Sequence, residues 1–461
     1  MIRIQDDLTP ASLKPKLDRF WTLSARKIVS IEESYDEADG APVFTVDGKY
    51  TSRGWTDWTE GFVYGSAVLQ YDATDDEFFL KLARERTVER MATHVSHVGV
   101  HDHGFNNLST YGNLLRLMVE GRLAQDPWEA EFYKLAIKTS AAVQANRWSE
   151  LPEGGYIYSF NGPHSLFVDT VRSCRILMVA HALGHVLMGE GDRSISLLGR
   201  ALEHLAATAK YNLYFGEGRD AYDVRGRTAH EAIFNRDDGA FRCPNSQQGY
   251  SGLTTWTRGL AWAMVGYAEE LEFLATLDDR ALEGHGERTA IEELWLSAAR
   301  STCDFYIANT PTCGIPYWDT GAPGLPHLGD WLEQPADPYN DHEPVDSSAA
   351  AIAAQGLLRL GHYLEDRGER AEARRYFQAG LTVSDTLFGA PYLSEDADHQ
   401  GLILHSIYHR PRGWDHIPAG SAIPHGESSL WGDYHARELA LYIQRLADDG
   451  KYLTFFGGVE R

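Results

Sequence analysis

The sequence predicts an all-α fold, an (α/α)6 barrel in which six helical hairpins close into a ring. Three observations point there. A helical period runs through nearly the whole chain, two kinds of helix alternate along it, and four long connections each precede a helix of the buried kind. Helical runs are read at 11–33, 59–73, 75–93, 105–122, 128–145, 166–189, 192–212, 253–277, 285–309, 346–364, 368–386 and 431–447, with little room for a large sheet.

One kind of helix is charged along one face. The run 75–93 carries Asp75-Asp76-Glu77, Lys81 and Arg84-Glu85-Arg86, and 368–386 opens on Gly368-Glu369-Arg370-Ala371-Glu372. Such helices suit an outer ring with one solvated face. The other kind is small and apolar on all sides, as in Gly61-Phe62-Val63-Tyr64-Gly65, Gly259-Leu260-Ala261-Trp262-Ala263 and Ser347-Ser348-Ala349-Ala350-Ala351. A helix apolar all round is a buried one. An open superhelix of helix pairs would show a fixed repeat; here the connections range from a few residues to about forty. No linker or shift in composition divides the chain, so residues 1–461 read as one barrel domain.

The segments 146–165, 213–252, 310–345 and 387–430 are long and rich in Gly, Pro and aromatic residues. Loops of that length inside a domain are usually functional. They gather at the end where inner helices begin, and helix N-termini favour an anionic ligand.

The formal charge of −24 argues against nucleic acid or an anionic membrane as partner. It leaves an anionic small substrate open, because charges beyond about 8 Å are largely screened and local residues decide. Cys174, Cys243, Cys303 and Cys313 show no paired framework and no CxxC. The first residues, Met1-Ile2-Arg3-Ile4-Gln5, hold no apolar signal core, and no stretch is long and apolar enough to span a bilayer. The expectation is a soluble, cytoplasmic protein.

Asp102, in His101-Asp102-His103-Gly104-Phe105, and Asp169, in Leu166-Phe167-Val168-Asp169-Thr170, each stand at or near the start of a helical run. Two carboxylates on neighbouring helices are the minimum equipment for acid–base work on a sugar. The plain alternative is that each caps its helix. Phe167, Val168 and Val171 surround Asp169 with apolar surface, which would raise its pKa toward that of a proton donor. His94, His97, His101 and His103 invite a metal reading, since His97 and His101 are spaced i and i+4. Val98-Gly99-Val100 suggests a helix end between them, and no second carboxylate or cysteine lies nearby in sequence. Satisfied or substrate-facing histidines are expected, with no metal and no cofactor.

A third constellation runs from His230 through Gln248, Trp256 and Arg258 to Trp262. Arg258 falls in the first turn of an apolar helix, where a cation opposes the macrodipole and needs a partner. That partner is either a substrate carboxylate, held bidentately, or an internal Asp102 or Asp169. Trp262, at mid-helix, is as well explained as core. Trp55, Trp58, Tyr158 and Phe160 are aromatic platforms in or beside the loops.

These residues resemble glycoside hydrolase family 88, the unsaturated glucuronyl hydrolases, over most of the chain. The likeness runs from Trp58-Thr59-Glu60-Gly61-Phe62 through His101-Asp102 and the Asp169 helix. It continues through His230, Gln248-Gly249-Tyr250-Ser251, Trp256-Thr257-Arg258-Gly259 and Trp262. Pro316-Tyr317-Trp318-Asp319, Asp346-Ser347-Ser348-Ala349 and Trp431-Gly432-Asp433-Tyr434 complete it. The resemblance implies the (α/α)6 barrel and an uronic-acid-containing oligosaccharide as substrate. It implies hydration of a C4=C5 vinyl ether in a non-reducing Δ4,5-unsaturated uronic acid. Asp169 would be the general acid/base, Asp102 its essential partner, and His101, His230, Gln248, Arg258 and Trp262 the lining of the sugar pocket. Trp58 and Tyr408 match too. The chain departs from the family pattern at Thr170, where Asn is usual, at Phe160, near an expected tryptophan, and at His103, where an aliphatic residue is usual.

A saturated β-glucuronidase using the two aspartates as a carboxylate pair is the second enzymatic reading. A sugar epimerase would need a central histidine pair, and a helical-repeat interaction protein would show a period.

Overall fold

The computed structural model describes residues 1–54 and 57–459; Trp55, one of the expected platforms, lies outside them. In chain order the α-helices are α1 (Lys14–Ser34), α2 (Glu60–Thr74), α3 (Glu77–Arg90), α4 (Ala92–Val95), α5 (His103–Asn106), α6 (Asn113–Val119) and α7 (Pro127–Asn146). There follow α8 (Cys174–Ala182), α9 (Leu197–Tyr211), α10 (Thr257–Leu274), α11 (Arg288–Ala308), α12 (Ser347–Asp366), α13 (Arg370–Leu387) and α14 (Leu430–Ala447). The fold is the (α/α)6 toroid expected from the alternation of helix types. α1, α3, α7, α9, α11 and α13 form the outer ring. The inner ring is α2, the segment 103–119, the segment 168–182, α10, α12 and α14, and it closes where α14 packs against α2.

The inner helices are buried through stretches that are small and apolar on all sides, such as 259–268 of α10 and 349–354 of α12. Every residue of α10 is buried, as are Ser347–Gly361 of α12. Two of the inner helices, α12 and α14, are capped by side chains at their starts. Asp346 accepts N–H bonds from Ser348 and Ala349 at the start of α12, and Ser429 accepts from Gly432 at the start of α14. Small residues let the inner helices approach. A Cβ on Gly61 would stand 2.2 Å from the Asn106 carbonyl oxygen.

Several charges that the ring buries are paired across it. Arg172 spans Glu269, at 3.1 Å, and Glu438, at 2.7 Å, while Arg359 meets Glu272 at 2.7 Å. Breaking such a pair strands a buried charge, which holds the inner helices in register. At the far end of the barrel Phe455 and Phe456 pack on Phe273, and Arg359 donates to the Leu453 carbonyl at 2.8 Å.

Three expected helical runs are interrupted. The run 166–189 opens on strand β5 (Ser165–Phe167), turns through a 3-10 helix at Val168–Ser173, and ends as α8 at Ala182. The run 192–212 includes the strand Ser194–Ser196 before α9. The run 105–122 contains a π-helical stretch at Leu108–Gly112 between α5 and α6. Apolar periodicity does not separate a short buried strand from the helix it feeds. The sheets are small. β5 pairs antiparallel with Glu231–Phe234, which pairs with Phe241–Asn245. No helix among the described residues is long and apolar enough to cross a membrane.

Candidate active site

A cleft opens at the end of the barrel where the inner helices begin, with an empty volume of about 680 Å³ counted out to its mouth. Asp102, Asp169, His101, Gln248, Arg258, Trp262, Trp58, Phe160 and Tyr408 all line it, joined by Val100, Phe105, Phe167, Gln247, Trp256, His409, Arg412 and Trp414. Trp262 lies on its inner surface, only 3 % exposed, stacked on Phe105 at 5.6 Å. Trp58 is half-buried and stacks on Trp431 at 5.3 Å. Tyr158 faces elsewhere, under the Arg147 guanidinium at 4.5 Å.

The two aspartates come together because their segments touch. The Ser173 hydroxyl donates to the His101 carbonyl, and a Cβ on Gly104 would meet the Ser173 carbonyl oxygen at 2.3 Å. Only glycine permits that approach. Neither carboxylate caps a helix: Asp102 precedes α5 without a capping bond, and Phe167 occupies the cap position before Asp169.

His101 stands between the carboxylates. Its Nε2 lies 3.1 Å from Asp169 Oδ1 and its Nδ1 3.7 Å from Asp102 Oδ2. The Phe160 N–H donates to Nδ1 at 3.2 Å, which places the ring hydrogen on Nε2, toward Asp169. The ligand-capable atoms of His101, Asp102 and Asp169 all lie within 4.8 Å of one another.

The electrostatics of the pair reverse the expectation from sequence. Burial, reinforced by the Asp169 charge, pushes Asp102 up to about 6, with His101 opposing. Burial acts on Asp169 in the same direction, yet the charge and hydrogen bond of His101, with His230 and Arg258 behind it, hold Asp169 below the ordinary carboxylate value. The apolar neighbours Phe167, Val168 and Val171 are buried as expected. They are outweighed by cationic and hydrogen-bonding groups remote in sequence. His101 itself is drawn upward, because the two carboxylates outweigh its burial.

No family model matches the chain. It is 26 % identical over 395 residues to an unsaturated glucuronyl hydrolase of Formosa agariphila, covering 85 % of this chain and 80 % of that one. It is 26 % identical over 399 residues to the unsaturated glucuronyl hydrolase of Bacillus sp. strain GL1, covering 86 % and 89 %. The solved structure of unsaturated glucuronyl hydrolase from Bacillus sp. GL1 superimposes with a TM-score of 0.69 at 22 % identity, over 94 % of this chain and 97 % of that one. Over more than four fifths of its length the chain is similar to unsaturated glucuronyl hydrolases, and this likeness supports a hydrolase.

Within this family frame, two expected members of the pocket sit differently. His230 is one layer behind the wall, its ring 4.3 Å from Phe167 and 4.7 Å from Trp256. Pairing of β5 with Glu231–Phe234 fixes it there, and the Gln247 and Gln248 N–H groups occupy its Nδ1 at 3.0 and 3.3 Å. Burial lowers its pKa to about 4, against the opposing charges of Asp169 and Glu231.

Arg258 reaches the cleft but is held from within. It donates to Asp346 Oδ2 at 2.5 Å, Gln248 Oε1 at 3.0 Å, the Tyr408 carbonyl at 2.8 Å and the Ile407 carbonyl. The internal ion pair weighed from sequence exists, with Asp346 in the place of Asp102 or Asp169. An expected free bidentate clamp is replaced by a cation fixed on the first turn of α10 by the cap residue of α12.

The histidine cluster does not converge on one point. His97 Nδ1 pairs with His103 Nε2 at 2.7 Å, and His94 Nε2 meets Glu60 at 2.6 Å. Glu60, 34 residues from His94 in sequence, is a carboxylate that the local segment does not reveal. Thr170 is fully buried beside Asp169. His409, Arg412 and Trp414 were not singled out from sequence, although Trp414 lies in an aromatic-rich loop already marked as functional.

Proposed function

We propose that the chain is an exo-acting hydrolase that releases a Δ4,5-unsaturated uronic acid from the non-reducing end of lyase-generated oligosaccharides. The observation that carries this reading is the His101-bridged pair, Asp102 and Asp169, on the wall of an aromatic cleft that reaches into the barrel as far as Trp262. Below about pH 6 such a pair holds one proton, resting on Asp102, with Asp169 as the carboxylate.

Vinyl-ether hydration draws on that proton, which passes from Asp102 through Asp169. The pair delivers a proton to C4, and the positive charge that develops at C5 and the ring oxygen is met by the carboxylate. Asp169 is the member that exchanges protons with the sugar, and Asp102 supplies and reclaims them. Water adds at C5 and returns its proton to the pair, so the proton count closes. The C5 hemiketal opens to a ketone, and the hemiacetal left at C1 breaks down to release the remaining saccharide. Trp58, Trp262 and Phe160 supply ring-sized apolar surface. Arg258, through Gln248, and Arg412 give the cleft a positive field for the sugar carboxylate. His230 donates no side-chain wall but fixes the Gln247-Gln248 backbone.

A matched pair of disaccharides, differing only in the C4=C5 double bond, tests the assignment. Turnover of the unsaturated member alone is expected; equal turnover of the saturated one would establish the β-glucuronidase reading instead.

A further inference from the structure

We propose that Asp47, His416 and Glu427 form a binding site for a single divalent transition-metal ion of the zinc class, and that the ion ties down the loop walling the cleft. The three side chains come from three separate segments. Asp47 is at the tip of the hairpin between strands Phe44–Val46 and Lys49–Thr51, His416 is in the loop two residues after Trp414, and Glu427 precedes the cap of α14. Their donor atoms all lie within 4.8 Å of one another. His416 Nε2 is 3.2 Å from Asp47 Oδ1. Two donors on a four-coordinate zinc stand about 3.3 Å apart, since Zn–N and Zn–O bonds are about 2.0–2.2 Å. One imidazole nitrogen with two carboxylate oxygens suits zinc better than calcium, which takes oxygen ligands, and leaves a fourth position for water.

The surroundings are built to hold these donors in place. Asp47 has φ 50° and Gly48 φ 74°, the left-handed pair that a two-residue hairpin turn requires. Glu427 is buried, and the Gly48 N–H donates to its Oε2 at 3.3 Å. Against the burial penalty, His399 and these hydrogen bonds keep Glu427 ionised. His399 is an orienting neighbour and not a ligand: the Gly401 N–H occupies its Nδ1 at 2.9 Å, and its Nε2 faces the Gly426 carbonyl at 3.1 Å. An ion here would join the hairpin tip to the segment that carries Tyr408, His409, Arg412 and Trp414. The hairpin is itself anchored, with the Thr45 N–H donating to Ser428 at 2.9 Å.

The test uses the full chain, free of any histidine tag and stripped with chelator, titrated with Zn²⁺ by calorimetry. Asp47→Asn keeps a residue that tolerates the left-handed turn, Glu427→Gln keeps an acceptor for Gly48, and His416→Ala removes the imidazole. One ion per wild-type chain is expected, with each variant weakening binding by more than about tenfold, since even outer-sphere partners cost about 10–100-fold. Zinc should also slow tryptic cleavage after the exposed Arg412 in the wild type and not in the variants. No retained ion, or an affinity unchanged in all three variants, would overturn the proposal; the latter would place the ion on other donors such as His101, Asp102 and Asp169.

Discussion

His101 Nε2 stands 3.1 Å from Asp169 Oδ1, and the Phe160 N–H closes on the opposite nitrogen of the same ring. One imidazole, locked at both ends, therefore decides which of two neighbouring carboxylates is the anion. Asp169 takes the hydrogen bond and stays ionised; Asp102, buried without an equivalent donor, holds a proton below about pH 6.

This arrangement sets the pH dependence. Asp102 is pushed up to about 6, first by burial and then by the Asp169 charge. A reaction that draws on the pair's proton declines as pH rises through about 6, because Asp102 empties there. The alkaline limb of a kcat/KM profile measures it. In His101→Gln the group opposing protonation of both carboxylates is gone, so the limb should move to higher pH. A limb that stays in place would separate His101 from the titration.

Gly104→Ala should damage the site without touching a polar group. The new methyl would lie 2.3 Å from the Ser173 carbonyl oxygen and 2.4 Å from its Cα. Overpacking of this kind costs about 1–3 kcal/mol, and a shift of about 1 Å between reacting groups costs on the order of a hundredfold in rate. Urea midpoints and kcat, measured together, should both fall.

Arg258→Ala and Asp346→Asn should behave as one lesion. The pair is buried at both ends, with side chains 3 % and 0 % exposed, and breaking such a pair costs about 3–5 kcal/mol. A double-mutant cycle by chemical denaturation should show strong non-additivity, the double variant losing little more than either single one. Additive losses would mean that Arg258 spends its charge elsewhere.

Trp58 and Trp262 should part company. Trp262→Ala removes a buried ring stacked on Phe105 and should destabilise by about 3–5 kcal/mol. Trp58 is only half-buried. Trp58→Ala should raise KM for oligosaccharides while leaving most of the stability intact, as melting curves and substrate titrations will show.

The ring of helices was legible because burial acts on whole faces. Charged stripes such as 75–93 and the small, apolar stretch 259–268 of α10 declare inside and outside over successive turns. The site was legible as a set of residues, since loops before inner helices must meet at one end. Its electrostatics were not. The neighbours that fix Asp169 are His101, 68 residues away in sequence, together with His230 and Arg258. The partner of Arg258 is Asp346, 88 residues away. A local window shows Phe167 and Val168 around Asp169 and predicts the wrong direction for its pKa. Short strands such as Ser165–Phe167 were hidden for a related reason: three buried residues carry no period, and their pairing partner lies beyond residue 230.

Hydration of the C4=C5 double bond by the Asp102–Asp169 pair is the reaction proposed for this chain. It is tested most directly by the ultraviolet absorbance of that bond, followed on lyase-generated oligosaccharides from several uronic-acid polymers with wild type and Asp169→Asn. Wild type should bleach at least one of them, and the folded variant none. Bleaching by Asp169→Asn at a rate near that of wild type would remove Asp169 from the proton transfer.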